Sequence, residues 1–160
     1  MSIEKVRAYF RPLGLEERIR ELEASSATVE LAALALGVDG ARIAKTLSFL
    51  VGDRCILIVT AGDARIDNHK YKARFGVKAK MPAHDEVPEC TGHAVGGVCP
   101  FACKEGVSVY LDESLKRFRT VFPACGSANS AIELTIPELE QYSGCDEWVD
   151  VCKDWQAASE

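Results

Sequence analysis

The apolar residues of this chain change period several times, and each change marks an element. Ile3, Val6, Phe10 and Leu13 recur three or four apart, the spacing that lines one face of a helix over residues 3–12. Pro12 and Gly14 stop it. Residues 17–23 mix charge with Ile19 and Leu22 and read as helix or edge strand, the strand preferred. Ser25, Ser26 and Thr28 offer N-cap side chains before residues 29–36, whose alanines and leucines favour helix, and Gly37 is the stop. A short turn over residues 39–43 leads to Lys45. Residues 46–51 and 55–60 are apolar runs on either side of Gly52, Asp53 and Arg54, a β-hairpin pattern. The second run is apolar on both faces, as a central strand is.

Asp67 is placed to cap a helix reaching Phe75, and residues 77–81 predict a short strand. Pro82 opens a helical turn to about Cys90, which Pro88 should distort or interrupt. Strands are expected at 107–111, 119–125 and 131–135. Thr135, Pro137 and Glu138 form a capping box for a helix to Tyr142, ended by Gly144. Residues 148–151 add a last strand, and 156–160 should fray. Strands with helices between and around them predict an α+β fold: a mixed sheet curled toward a barrel and surrounded by helices.

The chain has 160 residues, which predicts one domain, 1–160, able to bury a core. Its longest apolar runs, such as residues 41–51, are broken by polar positions and too short for a bilayer, so no membrane partner is expected. The first residues lack the basic-then-apolar order of a signal peptide, which points to the cytoplasm. Seven cysteines, an odd number without a secretory signal, predict reduced thiols. A net charge of −5 argues against duplex DNA but leaves room for contact with the end of an RNA.

Candidate chemistry centres on residues 91–102, where Gly92, Gly96 and Gly97 precede Cys99 and Pro100. Flexible glycines followed by a rigid proline can turn backbone N–H groups toward a carbonyl oxygen, an oxyanion or a phosphate, or simply make a turn. Lys45 beside an apolar strand either reaches for solvent or points a fixed positive charge into a pocket. Glu133 alternates with Ile132 and Leu134, so it faces solvent or, with Ser127, orients a ligand. Cys90, His93, Cys99 and Cys103 have a spacing that zinc permits, although no second knuckle accompanies them. Cys99 as nucleophile would need a base such as His93 and a lowered pKa. No elbow motif supports a serine triad. Residues 68–80 interleave aromatics with five positive charges, a solvated helix face or a patch for RNA phosphates.

The ordered set of motifs resembles the YbaK/EbsC family, relatives of the editing domain inserted in bacterial prolyl-tRNA synthetase. The points of likeness are Ser26-Ala27-Thr28 before the alanine-rich helix and Ala44-Lys45-Thr46-Leu47 at the strand start. Gly96-Gly97-Val98-Cys99-Pro100-Phe101 is the third, and Cys125-Gly126-Ser127 before Ala131-Ile132-Glu133-Leu134 the fourth. They run from about residue 20 to 140. The resemblance implies hydrolysis of the ester joining a wrong amino acid to tRNA, with tRNA(Pro) a candidate; no cofactor or metal is expected. It implies that Lys45, Gly96, Gly97 and Pro100 form the catalytic site, Lys45 holding the 3′ end and the loop positioning the scissile carbonyl. Thr28, Val98, Cys99, Phe101, Gly126 and Ser127 would bind substrate. The implied partners are the aminoacyl-tRNA 3′ end and an aminoacyl-tRNA synthetase; a non-catalytic module binding either is the alternative. Two positions depart from the pattern: Ala131 replaces an aspartate of the Cys-tRNA(Pro) deacylases, and Ala102 replaces a glycine after the proline-containing loop.

Overall fold

A computed structural model describes residues 2–23 and 28–155. The expected cap residues Ser25 and Ser26 and the tail 156–160 lie outside the described residues. The first helix, α1 (Ser2–Phe10), buries Val6 and Phe10 completely, as its apolar spacing requires. A 3-10 turn (Arg11–Leu13) continues it as far as Gly14. Of residues 17–23 only β1 (Arg20–Glu21) is strand. Helix α2 (Val29–Leu36) starts at Thr28, whose Oγ1 accepts the Leu31 N–H at 3.1 Å, and stops at Gly37.

The hairpin is formed by β2 (Ile43–Val51) and β3 (Arg54–Ala61). β2 begins three residues before the expected run, so Lys45 lies inside the strand, opposite Thr60. Strand β4 (Arg65–Ile66) leads to α3 (Asn68–Phe75), where the Asp67 carboxylate accepts the His69 and Lys70 amides. Then come α4 (Val87–Thr91), β5 (Ser108–Asp112), β6 (Thr120–Pro123), β7 (Ser130–Ala131) and β8 (Leu134–Thr135). Helix α5 (Ile136–Tyr142) carries the full capping box, and β9 (Glu147–Val149) and β10 (Cys152–Lys153) follow.

Six strands form a curled mixed sheet in the order β8-β6-β2-β3-β5-β9. β2 is antiparallel to β3 and parallel to β6, while β3 is parallel to β5. β3 is central, and its residues Ile56, Leu57, Ile58 and Val59 are all buried, which explains a run apolar on both faces. Short ribbons β1–β7 and β4–β10 tie the remaining edges. Among the described residues no helix is long and apolar enough to cross a membrane.

Three local expectations give way to tertiary partners. Residues 77–81 form no strand: the Leu50 amide at the end of β2 donates to Lys80 O at 2.7 Å, and Pro82 follows at once. The expected strand 131–135 divides, because Ala131 pairs with Arg20 of β1 while Leu134 pairs with Val121 of β6. Pro88, by contrast, acts as expected: a 3-10 turn (His84–Glu86) ends where α4 begins, and Pro88 sits in the first turn of α4, where an amide would have no helical acceptor. Cys55 and Cys90 form a disulfide rather than two reduced thiols, with Cα atoms 5.8 Å apart across 35 residues of sequence.

That disulfide joins the start of β3 to α4, and through α4 it tethers the glycine loop to the sheet. Closing a loop of that length restricts the unfolded chain, so Cys55→Ser should lower oxidised-state stability by about 2–4 kcal/mol. Denaturant titration with and without a reducing agent checks this: reductant should shift the midpoint of the unmodified chain and leave the variant unmoved.

Candidate functional site

A cavity of about 570 Å³ opens between α2, the first half of β2, the glycine loop and the β6–β7 connection. That volume suits a small ligand or the end of a larger one. Thr28, Lys45, Gly96, Val98, Phe122 and Ala131 all border it. Its walls are mainly apolar. Among the described residues that line it, only Lys45 and His84 can carry charge, and none is a carboxylate.

Lys45 is half-buried, and among the described residues its ammonium makes no hydrogen bond or ion pair. Burial pushes its pKa below the ordinary lysine value; Arg65 acts in the same direction, and Cys152, Asp63 and Glu30 oppose it. β2 explains the placement. Ile43 and Ala44 pair with β6 and are buried, so the strand carries the Lys45 stem down the cavity wall.

The glycine loop is built from its ends inward. α4 closes on Gly92, whose φ of +87° suits glycine, and an added Cβ there would lie 2.9 Å from the Lys104 nitrogen. Lys104 N–H donates to Thr91 O at 3.0 Å, so the two ends of the loop are paired. Within it, Gly97 N–H donates to Ala94 O at 2.9 Å. The amides of Gly96 and Val98, both residues of the cavity wall, donate to no acceptor among the described residues. Uncommitted amides beside an apolar cavity can receive a developing oxyanion.

The second glycine loop stands directly behind the first. A Cβ on Gly97 would fall 2.6 Å from Gly126 O and 2.8 Å from its carbon, so here backbone lies on backbone. Ser127 Oγ sits 2.8 Å from Ser130 Oγ and 3.0 Å from Asn129 Oδ1, and Cys125 N–H donates to Ser130 Oγ at 3.3 Å. These bonds fix the turn that Gly97 meets.

The residues expected to form the site therefore fall in two layers. Thr28, Lys45, Gly96 and Val98 border the cavity. Gly97, Pro100 and Gly126 are buried behind it, Ser127 is part-buried in the second loop, and Cys99 and Phe101 are fully buried. Phe101 packs edge-on against Phe10 of α1, with ring centroids 4.9 Å apart. Sequence reasoning missed Phe122, Ser130 and the pair Met81 and Pro82 as lining residues. None belongs to a chemical motif, and Phe122 was marked only as part of the strand expected at 119–125.

The other candidates resolve differently. Cys99 Sγ lies 3.6 Å from His93 Nε2, but burial pushes its thiol pKa well up, the opposite of what a nucleophile needs. Cys103 is raised to about 11, also by burial. Cys90 is held in the disulfide, and among the described residues no group of three or more metal-type side chains is gathered. Glu133 lies outside the cavity, accepting from Thr120 Oγ1 at 2.7 Å and from Arg42 at 3.3 Å. In the basic stretch Lys70 pairs with Asp150 and Arg74 with Glu147. Lys72, Lys78 and Lys80 are exposed and make no ion pair among the described residues. Lys80 adjoins Met81, which reaches the cavity mouth.

Fold and cavity together define an α+β domain with an apolar pocket bordered by a glycine loop and a strand lysine. Residues 23–142 match the model of the aminoacyl-tRNA editing domain, and the chain belongs to that family. It is 57% identical over 157 residues to the uncharacterized protein YwhH of Bacillus subtilis (strain 168), covering 98% of this chain and 100% of that protein. It is 31% identical over 115 residues to the proline–tRNA ligase of Shouchella clausii (strain KSM-K16), covering 71% of this chain and 19% of the ligase. A crystal structure described as a candidate trans-editing enzyme for prolyl tRNA synthetase superposes with a TM-score of 0.85 at 29% identity. It covers 96% of this chain and 98% of that one.

Two substitutions with opposite signs test the loop. Gly97→Ala forces the two backbones apart and should cost about 1–3 kcal/mol. Ala102 holds a left-handed φ of +52°, which is unfavourable for alanine, so Ala102→Gly should gain up to about 1 kcal/mol. Thermal unfolding of both variants provides the measurement.

Proposed function

We propose that the chain is an aminoacyl-tRNA deacylase, one domain spanning residues 1–160, that removes a small mischarged amino acid from tRNA, with tRNA(Pro) the leading candidate. The observation that carries this reading is that Lys45, Gly96 and Val98 border one apolar cavity and that the amides of the two loop residues donate to no acceptor among the described residues. An aminoacyl ester is already activated, so no protein nucleophile is required. A positioned water, or a thiol on the substrate itself, attacks the carbonyl while backbone amides receive the charge that develops on its oxygen. Lys45, which has no carboxylate ion-pair partner among the described residues, is suited to hold the polar 3′ end of the tRNA at the mouth. The buried, high-pKa thiol of Cys99 supports a mechanism that does not pass through a cysteine.

Editing of this kind answers the limited discrimination that one methylene provides. The exposed Lys72, Lys78 and Lys80 offer phosphate contacts leading to the cavity mouth, which reconciles an acidic chain with a tRNA substrate. A tRNA substrate places the protein in the cytoplasm. An aminoacyl-tRNA synthetase is a further partner on the same reading.

A panel of mischarged tRNAs tests the proposal. Hydrolysis of at least one is expected, with Lys45→Ala reducing kcat/KM by about 100-fold, roughly 2.7 kcal/mol of transition-state stabilisation. No hydrolysis of any charged tRNA, together with retained binding of an aminoacyl-adenosine analogue, would replace the enzyme by a binding module. Lys78→Glu combined with Lys80→Glu should weaken tRNA binding and flatten its salt dependence, while hydrolysis of a minimal aminoacyl-nucleotide ester stays unchanged.

A further inference from the structure

We propose that His93 is a positioning residue for the glycine loop, holding residues 94–100 in their path along the cavity by donating its Nε2–H to the Phe101 carbonyl. The two residues bracket the loop, and the nitrogen–oxygen distance is 2.7 Å. The ring is nearly sealed, with 1% of the residue exposed. Because a carbonyl only accepts, Nε2 must carry the proton. Nδ1 is buried and has no partner among the described residues, so in the neutral ring it is left bare.

This arrangement distinguishes His93 from a general base and from a filler of the core. A base would need a free nitrogen facing the cavity, whereas His93 does not line it. An apolar filler would leave the Phe101 carbonyl without this donor. The backbone on the near side is fixed as well: His93 N–H donates to Thr91 Oγ1 at 3.0 Å, and Thr91 Oγ1 donates to Val87 O at 2.8 Å. Lys5 of α1 donates to Gly92 O at 2.8 Å. His93 thus bridges an anchored end of the loop to its far end, and the Gly96 and Val98 amides lie between the two.

The bridge is sensitive to protonation. The titratable groups near the ring are Lys5 from α1 and the thiols of Cys99 and Cys103 in the loop itself. Burial lowers the imidazole pKa, and Lys5 adds to this against the opposing pull of the Phe101 hydrogen bond. A second proton would have to enter at Nδ1, where no acceptor waits. The folded-state pKa is below the unfolded value of about 6.5. Stability from the neutral ring is therefore complete above that value and is lost as pH falls toward the folded pKa.

The inference rests on the deacylase reading for its kinetic arm alone. Nitrogen-15 spectra of the histidine rings at pH 7 should show His93 neutral and protonated on Nε2; an Nδ1–H tautomer or an imidazolium would overturn the proposal. His93→Leu should raise hydrogen exchange at residues 94–101 by more than tenfold while β3 amides stay protected, and unaltered loop exchange would also overturn it. Where deacylation is measurable, His93→Leu should lower kcat more than tenfold with KM within twofold. His93→Gln, which returns an N–H donor near the Nε2 position, should restore kcat to within threefold and remove the acid limb of the pH profile. Equal losses in the two variants, or an unchanged acid limb in the glutamine variant, count against the bridge. If the unmodified chain hydrolyses no charged tRNA, the deacylase reading fails, and the spectra and exchange still decide the role of His93.

Discussion

The closest constraint on this structure is the contact of two glycine backbones. Gly97 lies so near the Gly126 carbonyl that a Cβ cannot fit between them, and this contact sets how far apart the two loops stand. The position of the first loop fixes one cavity wall at Gly96 and Val98. The second loop leads directly into Ser130 and Ala131, which line the cavity and pair with β1. One steric fact therefore joins the loop chemistry to the sheet. A side chain at Gly97 would force the two loops apart and, on the proposed reading, leave the amides facing a wider, wetter space, where a hydrogen bond to a developing charge is weaker.

Lys45 supplies the complementary feature, a charge held where water is scarce. A strand usually directs such a side chain to solvent or to a carboxylate, because desolvating an unpaired ammonium is unfavourable. Here the sheet carries it along an apolar wall without an ion-pair partner among the described residues. A protein tolerates such a position where something outside the chain completes it, and a polyanionic ligand end is chemically suited to do so. The net charge of −5 does not conflict with the proposed substrate, since contact with a single-stranded end depends on a few local groups more than on net charge.

Legibility from sequence follows the range of each interaction. The caps at Thr28, Asp67 and Thr135 were readable because donor and acceptor lie within three residues of one another. β3 was readable as central because burial on both faces leaves an unbroken apolar run. The split at Ile132 and Glu133 was not, because alternation reports which face a residue takes and not which strand it pairs with. Proline at position 88 has opposite meanings inside a helix and in its first turn, and only the true start of α4 separates them. In the site, Lys45 and the loop glycines carried visible chemistry, whereas Phe122 and Met81 looked like any core or surface apolar residue.

The sequence by itself determined the local elements, the α+β class and the ordered motifs that place the chain among editing domains. It also determined which residues had chemistry to offer. Tertiary structure alone decided which of them share the cavity. It set Thr28, Lys45, Gly96 and Val98 on the wall, withdrew Cys99 and Phe101 into the core, and brought Cys55 to Cys90. It also turned His93 from a candidate base or metal ligand into a bridge across the loop. The physical reason is the same throughout: capping and periodicity act over a few residues, while exposure and pairing depend on which distant segments exclude water from one another.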